Sequence, residues 1–555
     1  MNTLPIASVL CSVAAAIPAQ MAGSYVIDPG NPAAFASFSA AVQSLVLNGV
    51  NGDVDIAAVP GTYTESIVLP SITGASPTNT ITFRSAQGPG TVLLHGSTGT
   101  TIALVAAPFA RNRSIVFDGL EFTGAPGSAI SATTFVEDIE IRNCVFRTGH
   151  SGSVPLQTWQ AVIASDNIGD EVGWRVHHNR IAVTPHGGLT SIGIRVWNGG
   201  DWEIHHNTFD VTGCNHAIYL ENNAARVDRI HDNLFFGTMS ANSGNLVSGV
   251  ACIRVDLANY ENEIAGNTFA LDFPGYGCCI ASGGVVVGAN RPQNYIRGNV
   301  FVVQGNLATA IALNVSGAGV NPIVADGNLY DSASGITNQI GTSITTANLH
   351  TLATWQAATG QDTGSLEVPA RLQNPFGTPP DLRPTPTSPI VGLAVGMPAF
   401  VTDDFAGRLR DAQPDAGAYE STGFALHGAG CPGAGGLVPA MATSGVIAIG
   451  STSFTIELQQ AVPGALALLT AGLSRTQSAL GPLPFPLGAS CFVLASPEAT
   501  LWSVSSAAGT ASAPFPIPAL PALFGTDVFF QWAVHDPASA SSLQVAVSAG
   551  GALQL

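Results

Sequence analysis

The chain is 555 residues long, too many for one ordinary domain unless a repeat architecture absorbs the length. Charged residues are only 10% of it, hydrophobic residues are 46%, and the formal net charge is −18. That balance speaks against a nucleic-acid partner, which selects basic patches, and because all 18 basic residues are arginine it excludes a lysine base or Schiff base.

In chain order, residues 1–22 are uncharged and apolar and end on small residues (Ala19, Ala22), which reads as a signal peptide and predicts a secreted or cell-surface protein. Residues 23–350 carry an internal repeat. Its units are Phe117-Asp-Gly-Leu-Glu-Phe122, Ile141-Arg-Asn-Cys-Val-Phe146, Val176-His-His-Asn-Arg-Ile181 and Ile204-His-His-Asn-Thr-Phe209. They continue as Ile230-His-Asp-Asn-Leu-Phe235, Ile264-Ala-Gly-Asn-Thr-Phe269, Ile296-Arg-Gly-Asn-Val-Phe301 and Val324-Ala-Asp-Gly-Asn-Leu-Tyr330. An apolar residue opens each unit, asparagine sits at or near the fourth position, and an aromatic or aliphatic residue closes it. Spacings of roughly 24 to 36 residues suit one solenoid coil with variable loops. Asparagine tolerates left-handed backbone, so it is expected to make the turn, and its amide to bond to the asparagine of the next coil. Between the units lie alternating strands such as Ile194-Arg-Val-Trp197, Ile218-Tyr-Leu-Glu221 and Ile253-Arg-Val-Asp256, with one set of side chains inward and the other outward.

Residues 351–421 read as a segment that closes the helix. Residues 422–555 turn to Gly, Ala, Pro and Ser with hardly any charge. Alternating runs such as Phe454-Thr-Ile-Glu-Leu and Phe529-Phe-Gln-Trp-Ala-Val predict an antiparallel β-sandwich there. The run around Leu437–Phe454 is broken by Gly, Ser and Thr, so no membrane span is expected. Of the eight cysteines one lies in the leader; Cys431 and Cys491 stand alone in the last domain and are the expected disulfide. Cys144, Cys214, Cys252, Cys278 and Cys279 are odd in number and lack zinc-type spacing; for Cys144 and Cys252 a buried, small apolar role is favoured.

The units resemble the repeats of the pectin-lyase-like superfamily of right-handed parallel β-helices. The opening Pro60-Gly-Thr-Tyr-Thr-Glu-Ser-Ile67 with Ile81-Thr-Phe-Arg84 is similar to the first coils of secreted members. Asp404-Phe-Ala-Gly-Arg408 through Asp415-Ala-Gly-Ala-Tyr-Glu420 resembles the segment that ends such helices. Residues 422–555 resemble the C-terminal domain of many secreted planctomycete proteins, through Cys431-Pro-Gly, Pro482-Leu-Pro-Phe-Pro-Leu and Phe530-Gln-Trp to Asp536-Pro. The resemblance implies an all-β fold, a right-handed parallel β-helix followed by a small antiparallel β-sandwich. Because the superfamily holds lyases, hydrolases, esterases and adhesins, it fixes no activity.

Stacking equivalent positions about 4.8 Å apart turns the repeat into columns. Glu140, Arg175, Glu203, Arg229 and Glu263 alternate in sign and read as a stabilising ladder. Arg142, His177, His205, His231, Ala265 and Arg297 form the next column. Its histidines could bind a metal or polyanion or respond to pH, but neutral ring stacking is favoured and no metal ligand is selected. The intervening strands carry the preferred site: Arg195, Glu221, Arg254 and Asp256 as catalytic candidates, with Asp166, Trp197 and Tyr219 as substrate-binding ones. Guanidinium groups, aromatic faces and carboxylates on one surface suit a sugar. The resemblance places the active site on this face and implies an arginine base, with calcium held by Asp166, Glu221 or Asp256. The paired-aspartate and Gly-His-Gly signatures of polygalacturonase-like hydrolases are absent. Two readings stand together: binding of an extracellular polysaccharide, with or without lyase- or glycosidase-type cleavage, or a non-catalytic adhesion or matrix role.

Overall fold

The computed structural model describes residues 20–555 other than 98, 107–110, 125–126, 134, 149–158, 167–170, 184–189, 222–225, 242–249, 257–261, 284–293, 306–309, 317–322, 333–339, 342–348, 386–387, 411–412, 421–422, 446, 448–449, 480, 489–490, 521–522, 524–525 and 540. The leader reading therefore falls outside the described residues. The chain forms two compact units, Met1–Leu156 with Val162–Arg175, and Gln157–Ala161 with Val176–Leu555.

In the first unit, short strands return coil after coil to the same three parallel sheets. One sheet holds Met21–Ile27, Val50–Ala58, Ile81–Ser85, Asn112–Asp118 and Val136–Arg142 in that order. A helix, Phe38–Asn48, is capped by the Ser37 hydroxyl and turns Phe38, Ala41, Val42 and Leu45 into the interior. The Glu65 carboxylate accepts from the Phe38 and Ser39 N–H groups and from the Ser39 hydroxyl.

The second unit is built of the same kind of three-strand coil, its own strands in register. Ile204, Ile230, Ile264 and Ile296 are fully buried on successive strands. The closing aromatics form a buried stack, with ring centroids of Phe209, Phe235, Phe269, Phe301 and Tyr330 separated by 4.8, 4.7, 5.2 and 5.3 Å. The asparagines line up beside it. Asn179 donates through Nδ2 to Asn207, Asn207 to Asn233, Asn233 to Asn267 and Asn267 to Asn299, each at 3.0 Å, and Asn299 to Asn328 at 3.2 Å. Each Oδ1 also accepts the main-chain N–H of the preceding asparagine, as Asn267 does for Asn233 at 3.0 Å. The row ends on Asp362, whose carboxylate accepts from Asn328, Tyr330, Trp355 and Ser365.

One expectation is corrected for the second unit. Along the Asn179–Asn328 row the asparagine does not make the left-handed turn and the residue before it does, whereas in the Ile141–Phe146 unit of the first compact unit Asn143 itself makes it, at φ 54°. Positive φ falls on His178 (56°), His206 (54°), Asp232 (51°), Gly266 (63°), Gly298 (60°) and Gly327 (65°). The turn rotates the following asparagine inward, where a buried amide must find partners and the next coil supplies them.

The C-terminal part of the second unit is antiparallel. Strands Gly423–His427, Gly550–Gln554, Asp527–His535, Leu466–Gly472 and Ala499–Val504 form one sheet, and Ala440–Ser444, Thr455–Gln459 and Ala511–Pro514 another. Both sheets contribute to one core around Ile456, Leu458, Leu469, Phe530 and Trp532, so the expected sandwich is present. Cys431 and Cys491 form the expected disulfide. Among the described residues the other five cysteines are buried thiols.

Candidate functional site

Strands Thr190–Trp197, His216–Glu221 and Val250–Asp256 lie side by side in the second unit. Their register aligns Arg195 with Tyr219 and Arg254, and Trp197 with Glu221 and Asp256, as the columns predict. Alternation turns Ile194, Val196, Ile218, Leu220, Ile253 and Val255 into the interior and this row to the outer face, where Tyr219, Glu221, Arg254 and Asp256 are half-buried and Arg195 is covered, at 4% exposure. Asp166 ends strand Trp159–Asp166, and its side chain lies outside the described residues.

The outer row is a set of neutralised pairs. Arg195 bonds to the Glu221 carboxylate at 2.7 Å, and its guanidinium lies 4.6 Å from the centre of the Trp197 ring. Arg254 donates to Asp256 from Nε at 2.7 Å and from its terminal nitrogen at 2.6 Å, and sits 5.3 Å from the Tyr219 ring centre. The Tyr219 hydroxyl donates to the same Asp256 oxygen at 3.0 Å. Burial opposes the Arg254 charge, but its bonds to Asp256 outweigh burial and hold the guanidinium proton more tightly than usual. Burial and the neighbouring Asp256 likewise raise the Tyr219 phenol. An arginine held in this way is a donor and a cation rather than a base. Beneath the row, His216 donates from Nδ1 to the Ala251 carbonyl at 2.7 Å; burial, with the nearby Arg254, lowers it to about 4, so it is neutral. Sequence reasoning passed over His216 because nothing in its strand pattern separates it from any inward residue.

The calcium that the resemblance implies does not fit these donors. Glu221 and Asp256 already share their charge with the neighbouring guanidiniums of Arg195 and Arg254, whereas calcium asks for about six to eight oxygens.

A second cluster lies on the strands that precede the turn. The rings of His177, His205 and His231 stack at 4.8 Å, as the column predicts. The sequence columns missed the parallel stack of His178 on His206, also at 4.8 Å. Neighbours on a strand point to opposite faces, but the positive φ of His178 and His206 brings each beside the histidine before it. The Nδ1 atoms of His177 and His178 are 2.9 Å apart, and those of His205 and His206 are 2.8 Å apart. At the third level Asp232 takes the second place, accepting from His231 Nδ1 at 2.8 Å. Burial lowers His178 to about 4 and pushes His205 further down, while Asp232 and Glu203 overcome burial to raise His231.

The segment that resembles a helix end folds over this cluster. The Phe400 ring lies 5.2 Å from His231, Phe405 stacks on His206 at 6.4 Å, and the Asp404 carbonyl accepts from His206 Nε2 at 2.7 Å. Arg410, only 2% exposed at its side chain, pairs with Asp232 and with Glu420. Of the alternating ladder, Arg175 pairs with Glu140 within the first unit, whereas Arg229 lies over Phe400 at 4.9 Å.

No protein-family model and no curated protein matches the sequence. Solved structures with a similar course include pectate lyase Pel9A, at 15% identity and a TM-score of 0.33, over 72% of this chain and 96% of that one. An alginate lyase from Paenibacillus sp. has 14% identity and a TM-score of 0.31, over 58% and 98%. The tailspike protein of an Acinetobacter phage has 11% identity and a TM-score of 0.30, over 93% and 82%. At that identity no side-chain role carries over to this chain.

Proposed function

We propose that this is a secreted protein that binds an extracellular polysaccharide along the Arg195–Asp256 face, with the C-terminal sandwich serving attachment. The observation that carries the reading is the row itself. Two guanidinium–carboxylate pairs and two aromatic rings stand on three successive coils of one solenoid face, about 4.8 Å from coil to coil, which offers an extended chain more than one point of contact. Paired donors and acceptors of this kind recognise hydroxyl groups, and aromatic faces take the apolar side of a pyranose. Because each arginine is matched by a carboxylate, the row is neutral and favours a neutral glycan over a polyanion. Cleavage is the weaker reading: Asp256 keeps Arg254 and Tyr219 protonated, and Arg195 holds Glu221.

Affinity electrophoresis against neutral and acidic polysaccharides tests this, with absorbance at 235 nm and reducing ends followed in parallel. Retardation by a neutral glycan, lost at least tenfold in Tyr219→Ala and Trp197→Ala, is expected with no rise in either signal. Unchanged binding in both variants refutes the assignment of the face. Unsaturated product that disappears in Arg254→Ala would replace binding by elimination.

A further inference from the structure

We propose a second site, independent of the sugar face: a transition-metal site of imidazole donors, centred on His205 and His206 with His231 as the third ligand. Each of the three offers a ring nitrogen, and these lie within 4.8 Å of one another; ligands about 2.0 Å from one ion are at most about 4.0 Å apart, so binding draws any wider pair together. His206 and His231 are 3% and 4% exposed, so their rings are already desolvated and fixed.

The arrangement of second partners points to ligation. A metal-binding histidine usually donates its other ring N–H to a carbonyl or carboxylate, which sets the tautomer and aims the free lone pair. His206 does this through Nε2 to the Asp404 carbonyl, leaving the Nδ1 lone pair toward His205. His231 does it through Nδ1 to Asp232, which is itself held by Arg410; its Nε2 faces Glu203 at 3.5 Å and gives up any proton it carries there on ligation. Two further observations bear on the choice of ion. The 2.8 Å between His205 Nδ1 and His206 Nδ1 is the separation of two cis ligands about 2.0 Å from one ion; a tetrahedral pair needs about 3.3 Å. That bite suits tetragonal Cu(II) or Ni(II) better than tetrahedral Zn(II), and Cu(II) binds such donors most strongly. His178, exposed above His206, leaves a way in from solvent.

Binding displaces protons in a defined way. The Nδ1 proton that His205 shares with His206 moves to His205 Nε2, and a proton on His231 Nε2, on the side facing Glu203, passes to solvent.

The test uses the full chain, with Cu(II) as the probe and glycine present as a weak competitor to strip surface sites. Calorimetry and electron paramagnetic resonance should show one Cu(II) per chain with nitrogen hyperfine structure. His206→Asn keeps a residue suited to positive φ, as Asn143 is at φ 54°, but removes the imidazole; affinity should fall at least tenfold. His205→Ala on the half-buried stack should do the same, and near-ultraviolet circular dichroism checks that each variant is folded. Wild-type affinity in either folded variant, or a spectrum without nitrogen coupling, overturns the proposal.

Discussion

Replacing Asn267 by alanine tests whether the amide row stabilises the solenoid. Asn267 is fully buried; its Nδ2 donates to Asn299 Oδ1 at 3.0 Å and to the Ile230 carbonyl at 2.9 Å. Its Oδ1 accepts from the Asn233 main-chain N–H and from Asn233 Nδ2, both at 3.0 Å. Alanine removes these four bonds and the weaker one from Nδ2 to the Ala265 carbonyl at 3.2 Å. Asn233 Nδ2 keeps the Ile204 and His231 carbonyls, and Asn299 Oδ1 keeps the Asn267 N–H, so these losses cost about 0.5–1.5 kcal/mol each. The Asn233 main-chain N–H loses the acceptor on Asn267, at about 1–3 kcal/mol. The sum centres near about 4 kcal/mol, which for a folding unit of this size lowers the melting midpoint on the order of 10 °C. Differential scanning calorimetry of wild type, Asn267→Ala and the exposed control Arg180→Ala reads it. A shift no larger than the control's would mean that water or the backbone satisfies these groups, and the row would be a by-product of the turn.

Two further outcomes follow from buried charges. Arg410→Met leaves Asp232 and Glu420 without their shared cation, and should cost about 3–5 kcal/mol in urea unfolding, with Asp232 losing the influence that holds it below the usual carboxylate range. Burial, with Arg254 nearby, depresses His216 to about 4 in the folded chain, so its contribution is intact above the unfolded value near 6.5. It drains away as pH falls from there toward 4, by about 3 kcal/mol in total. His216→Gln should flatten that part of the stability–pH curve; an unchanged slope would mean that another group sets it.

The repeat was legible because its signal is periodic. Buried isoleucine, asparagine and phenylalanine at fixed offsets predict the register, and Arg195, Tyr219 and Arg254 fall side by side accordingly. The turn was misplaced by one residue because the positive-φ column reads His178, His206, Asp232, Gly266, a mixture with no common side chain. Its neighbour is uniformly asparagine and drew the inference instead. The double histidine stack escaped for the same reason: two-residue alternation sends adjacent side chains apart, and only the turn brings them together. The lid of Phe400, Phe405 and Arg410 was beyond reach altogether, since Arg410 meets Asp232 across 178 residues of chain and no repeat announces it.

Every Nδ2 in the asparagine row points toward the C-terminal end, so the amide dipoles add head to tail as peptide dipoles do in a helix. The donor end of that sum meets the Asp362 carboxyl, an acidic group where an aligned row calls for one. Each member shows the next the same two atoms, so the row is indifferent to its own length. A whole coil added or removed between Asn207 and Asn299 would leave the Asp362 cap of the row unchanged, and what limits such a change of reach is the closing segment, which is pinned to Asp232 by Arg410 and to His231 by Phe400.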